Sequence, residues 1–65
     1  MATTPIIGDL YRLSGTLAIL SRYEYACTVY GQDRYYVTFH LSTGDTLRYT
    51  FTQDEFYALA EPLCK

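Results

Sequence analysis

The stretch from Arg34 to Leu63, nearly half of the 65 residues, constrains this chain more tightly than any other part of it. Arg34-Tyr35-Tyr36-Val37-Thr38-Phe39-His40-Leu41 alternates with period two, and Leu47-Arg48-Tyr49-Thr50-Phe51 resumes the alternation after a turn. Successive side chains on a strand point to opposite faces of a sheet. Tyr35, Val37, Phe39 and Leu41 are therefore expected inward, with Tyr36, Thr38 and His40 outward.

Parity also selects the turn between these strands. A two-residue loop at Thr43-Gly44 would set each apolar residue opposite a polar one, and a slip of one residue flips every side chain to the wrong face. A three-residue loop, Ser42-Thr43-Gly44, instead pairs Phe39 with Leu47, Val37 with Tyr49 and Tyr35 with Phe51. It places Gly44 where a type I turn followed by a bulge requires a left-handed residue.

Thr52-Gln53-Asp54-Glu55-Phe56 carries the marks of a helix start. Thr52 and Glu55 have the spacing of a capping box, and Phe51 and Phe56 that of a hydrophobic staple. Asp54 adds negative charge where the helix dipole favours it. Phe56, Leu59, Ala60 and Leu63 follow the spacing of one buried helical face. Pro62 disfavours helical geometry at Glu61, so the spacing predicts a helix over 53–61.

The first half of the chain reads as shorter strands separated by turn signals. Residues 1–7 suggest a loose arm ending in an apolar anchor, Ile6-Ile7. Leu10-Tyr11-Arg12-Leu13 and Thr16-Leu17-Ala18-Ile19-Leu20 follow as strands, bounded by Gly8-Asp9 and Ser14-Gly15. From Tyr23 to Val29 the odd positions are apolar, which places Cys27 on an inward face, and Gly31-Gln32-Asp33 reads as the next turn. In that register Glu24 lies opposite His40, Thr38 lies between Ala26 and Arg48, and Tyr36 between Thr28 and Thr50. The expected fold is a β-rich α+β domain, 1–65, with an antiparallel meander of four or five strands and one C-terminal helix. The Gly8-Asp9-Leu10-Tyr11-Arg12 opening, followed by short strands, is similar to small SH3-like barrels, which implies a sheet curled on itself.

Composition narrows the chemistry. A chain this short buries only about 60% of its unfolded surface, so a partner or self-association is a common remedy for a small core. The formal charge of −2 argues against diffuse attraction to phosphate backbones or anionic membranes. No apolar run approaches the ~20 residues of a membrane span. The start lacks a basic and apolar leader, and Cys27 and Cys64 match no metal motif, so a cytoplasmic protein with two free thiols is expected.

Catalysis requires an acid, base or nucleophile in a pocket that excludes water. The single histidine, His40, is expected on an open sheet face, where pairing with Glu24 is a cross-strand polar contact. Cys27 and His40 have opposite parity and cannot meet. Asp9, Asp33, Asp45 and Asp54 occupy turn or helix-start positions, where they satisfy backbone groups. One histidine and two separated cysteines make no zinc site. The expectation is a non-enzymatic domain without cofactor or metal.

What remains is the outward face. Tyr30, Arg34, Tyr36, His40 and Arg48 are its candidate binding residues. Tyrosine and arginine are enriched in protein interfaces, where lysine is depleted, which favours another protein or a second copy as the partner. Single-stranded nucleic acid is the alternative, since aromatic rings stack bases and arginines meet phosphates, but carboxylates outnumber basic groups here.

Overall fold

The computed structural model describes residues 5–63. They form strands β1 (Leu10–Leu13), β2 (Thr16–Val29), β3 (Gln32–Leu41) and β4 (Thr46–Thr52), helix α1 (Gln53–Leu59) and strand β5 (Ala60–Pro62). One antiparallel sheet joins them in the order β4-β3-β2-β1-β5. The domain is thus the β-rich meander with a short C-terminal helix that the alternation and capping signals predict. No helix among the described residues is long and apolar enough to cross a membrane.

The β3–β4 hairpin has the predicted register. Phe39 pairs with Leu47, Val37 with Tyr49 and Tyr35 with Phe51. The Leu41 amide donates to the Asp45 carbonyl at 2.8 Å, closing the three-residue loop, and Gly44 has φ of 100°. A side chain at that φ is strained, which is why glycine ends this turn.

The β2–β3 hairpin departs from the sequence expectation. Its loop is Tyr30-Gly31, not Gly31-Gln32-Asp33, because Val29 pairs directly with Gln32. Tyr30 (φ 51°) and Gly31 (φ 78°) both lie in the left-handed region, as a type I′ hairpin turn requires. Tyrosine is unfavourable there, so Gly31 signals a turn but nothing in the sequence places its first residue at Tyr30. The β1–β2 turn, Ser14 (φ 50°) and Gly15 (φ 85°), is built the same way.

Two register shifts in β2, between Leu20 and Arg22 and between Tyr25 and Cys27, complete the difference. Each bulge adds a residue to β2 alone and switches its parity. Before the first, even residues Ala18 and Leu20 are buried while Leu17 and Ile19 are exposed; after it, Tyr23 turns inward. After the second, Cys27 faces Arg34 and is exposed, correcting its expected place on the inner face. Cys64 lies outside the described residues.

Helix α1 begins as its capping box predicts. The Glu55 amide donates to Thr52 Oγ1 at 3.2 Å and the Thr52 amide to Glu55 Oε1 at 3.0 Å. A cap of this kind contributes about 1 kcal/mol. The helix ends at Leu59, short of the expected Glu61. Ala60 is extended (φ −99°, ψ 116°), and Ala60–Pro62 pairs with Leu13–Tyr11 as β5. Glu61 avoids helical geometry because Pro62 follows it, and proline is tolerated on this edge strand because no further strand needs its missing donor.

The core collects from every layer: Tyr11 and Leu13 of β1, Ala18 and Leu20 of β2, Val37 and Phe39 of β3, Phe56 of α1 and Ala60 of β5. Phe56 is its hub. Its ring meets Tyr11 edge-on at 5.3 Å and Tyr23 at 5.2 Å, and stacks on Phe39 at 5.8 Å. Tyr11 of β1 also reaches Phe39 of β3 at 6.0 Å, so rings from two non-adjacent strands meet beside Phe56. Phe51 packs at the margin, stacked on Tyr49 at 4.6 Å.

Residues 1–4 of the expected arm lie outside the described residues. Pro5 is buried, whereas Ile6 and Ile7 are exposed, so the apolar anchor is the proline. The Gly8 amide donates to the Leu20 carbonyl at 2.8 Å and the Leu20 amide to the Asp9 carbonyl at 3.0 Å, tying this segment to β2 just where the first bulge begins.

Candidate functional site

The outward face of the sheet is built from three cross-strand rungs. Leu10, Ile19, His40 and Thr46 stand side by side across β1, β2, β3 and β4. Arg22, Thr38 and Arg48 form the next rung, and Glu24, Tyr36 and Thr50 the third. The β3–β4 half of this grid is the predicted one. Its β2 half is displaced by four residues opposite Thr38 and Tyr36 and by five opposite His40, because the Tyr30-Gly31 turn and the bulges reset the register. Glu24 therefore meets Tyr36 rather than His40.

The first rung is apolar. Leu10, Leu17 and Ile19 remain 49%, 45% and 45% exposed, and with His40 and Leu41 they line a hollow of about 210 Å³. Sequence reasoning missed these residues by treating Leu17 to Leu20 as one buried run. The signal was present: four consecutive apolar residues cannot all face inward on a strand whose outer side is open. His40 borders this hollow, and its Nδ1 lies 3.2 Å from Thr46 Oγ1. Among the described residues it has no carboxylate partner to orient it as a base.

The second and third rungs are cationic and aromatic. Arg22, Tyr36, Thr38, Arg48 and Thr50 line a hollow of about 180 Å³. The Arg22 guanidinium lies 5.0 Å from the Tyr36 ring centroid and donates to Glu24 at 2.8–2.9 Å. Arg48 is exposed and has neither an ion pair nor a side-chain hydrogen bond among the described residues.

The structure thus brings three of the five predicted residues onto one continuous face: Tyr36, His40 and Arg48. The other two go elsewhere. Arg34 is half-buried and its Nη1 reaches Glu55 Oε1 at 3.4 Å, the oxygen that also accepts from the Thr52 amide. It supports the helix cap. Tyr30 is fully exposed at the tip of the β2–β3 hairpin, off the sheet face.

On the inner face, Tyr23 stacks on Tyr35 at 4.7 Å, and its hydroxyl is buried without a hydrogen-bond partner among the described residues. Burial, reinforced by Tyr35, Tyr57 and Tyr11, pushes its pKa up to about 12. A phenol held in its neutral form is a poor base, and the hydroxyl of this one is buried. Among the described residues no three His, Cys, Asp or Glu side chains gather into a potential metal cluster.

These features describe one open sheet face with an apolar half and a cationic half. Comparison with known proteins adds no function to it: no family model, curated protein or solved structure matches the chain.

Proposed function

We propose that this domain is a non-enzymatic binding module that engages another protein through its outward sheet face. The observation that carries this reading is the placement of exposed Leu10, Leu17 and Ile19 beside exposed Tyr36 and Arg48, which is unpaired among the described residues, on one surface. Apolar residues clustered with tyrosine and arginine, without lysine, have the composition of an interface core. Contiguous exposed apolar surface of this kind marks interaction sites. The return of β5 to β1 after the helix supports an SH3-like curl of the sheet, which holds the face in a fixed shape before binding. The exposed Cys27 thiol fits a reducing compartment such as the cytoplasm.

Single-stranded nucleic acid is the weaker reading. Glu24 already neutralises Arg22, and the chain carries a formal charge of −2. A backbone-tracking groove needs a row of free cations.

The test is affinity capture from source-cell lysate, with and without nuclease, using the native domain and a Leu17→Glu/Ile19→Glu variant. Both side chains are exposed, so the variant should fold. A stoichiometric protein that survives nuclease and is lost with the variant is expected. Recovery that vanishes with nuclease and falls steeply with salt would overturn the proposal in favour of nucleic acid. A solution mass at a multiple of 7.5 kDa that reverts to monomer in the variant identifies the partner as a second copy.

A further inference from the structure

We infer that the outward face takes an extended peptide carrying a carboxylate, with an apolar side chain seated against Leu10, Leu17 and Ile19 and the carboxylate held at Arg48. This rests on reading the face as a protein-binding surface and specifies the partner's chemistry.

Charge singles out Arg48. Four arginines lie among the described residues, and three have carboxylate partners: Arg12 with Glu61 at 3.3 Å, Arg22 with Glu24 at 2.8 Å and Arg34 with Glu55 at 3.4 Å. Arg48 has none. Its cross-strand neighbour on β3 is Thr38, and Thr46 and Thr50 share its face of β4. An uncompensated guanidinium among small neutral side chains, on a chain of formal charge −2, is a local site for an anion. Arg22 stands on the other side of Thr38, fixed by Glu24 and by the Tyr36 ring, so the rung reads arginine, threonine, arginine. With Arg22 neutralised, the site holds about one net positive charge. That suits a single carboxylate and not a run of phosphates.

The two hollows also lie an extended peptide's reach apart. The apolar hollow is centred on the His40 rung and the cationic one on the Thr38 and Tyr36 rungs. From Ile19 to Arg48 is two residues along the strands, about 7 Å at ~3.3 Å per residue, and two strands across, about 10 Å at ~4.8 Å each, a diagonal of about 12 Å. Where that diagonal crosses β3 it passes beside Thr38, which is small. An extended peptide crossing it would place an apolar side chain and a carboxylate about four residues apart. The carboxylate could belong to an aspartate or glutamate or to the peptide's own C-terminus.

Random peptide libraries, one with amidated and one with free C-termini, would be selected on the immobilised native domain. The expected winners carry an acidic residue, or in the second library only a terminal carboxylate, about four positions from Leu, Ile, Val or Phe. Replacing that acid by its amide in a selected peptide should weaken binding about three- to tenfold, and Arg48→Gln should do the same. The two changes together should cost no more than either alone, since both remove one contact. Winners with apolar anchors but no acid enrichment would overturn this inference and leave the binding face standing. Basic winners would overturn it as well. If no selected peptide is released by Ile19→Glu, the binding face falls with it.

Discussion

The two long hairpins share β3 yet were specified in different ways. In β3–β4 both faces of both strands are chemically distinct, so one register satisfies parity and the turn glycine together. Only that register buries Val37 and Phe39 while Thr38, Arg48 and Thr50 face water. In β2–β3 the tip has no such contrast. Tyr25 is 59% exposed, Val29 is 38% exposed and Tyr30 fully so, and neither face of the tip is covered by helix. Register there is set by the left-handed turn and by two bulges that no alternation pattern announces. Burial makes a strand legible, and its absence leaves turn geometry to decide.

The largest test of that contrast is at the hub. Phe56 is fully buried against rings from β1, β2 and β3. Phe56→Ala should destabilise the domain by about 3–5 kcal/mol, enough to unfold a domain this small, whereas Val29→Ala at the exposed tip should cost less than about 0.5 kcal/mol. Urea denaturation of the two variants compares them directly, and equal losses would refute the division into a packed and an unpacked half.

Tyr23 lies between the two halves, and it separates packing from polarity. Its hydroxyl is buried and unpartnered, so Tyr23→Phe should raise stability at neutral pH by about 1 kcal/mol. The pH dependence has a definite sign. The folded-state pKa is raised from 10.0 to about 12, with burial the main cause, so the neutral phenol is the form the fold tolerates. Its contribution is intact below pH 10 and is lost as pH rises from 10 towards 12, where the unfolded chain releases the proton first. Stability curves at pH 8 and pH 11 should therefore fall less steeply for Tyr23→Phe than for the native chain. A parallel fall would mean that water reaches the hydroxyl.

The smallest effect is expected at the tip. Tyr30 adopts a left-handed conformation that asparagine tolerates better, so Tyr30→Asn should stabilise the hairpin by about 0.5 kcal/mol, read as a small upward shift in Tm. Destabilisation instead would show that the Tyr30 ring packs on something in solution.

The candidate face was legible to the same extent as the strands that carry it. Tyr36, His40 and Arg48 were recoverable because β3 and β4 alternate without interruption. Alternation requires half of the Leu17 to Leu20 run to turn outward, but a bulge at Ser21 decides that Leu17 and Ile19 are that half. Arg34 has the parity of the face but sits at the end of β3 opposite Thr52, within reach of a helix carboxylate that strand periodicity cannot anticipate.

By itself, then, the sequence determined the β3–β4 register, its three-residue turn and the capped start of the helix. Each rests on contacts between residues close along the chain, where side-chain chemistry fixes the geometry directly. Tertiary structure decided where β2 bulges, why the helix gives way to β5 after Leu59, and which arginine is left without a carboxylate. Those outcomes depend on pairings between distant segments, Tyr11 with Pro62 and Ile19 with His40 among them, which no contact between neighbouring residues specifies.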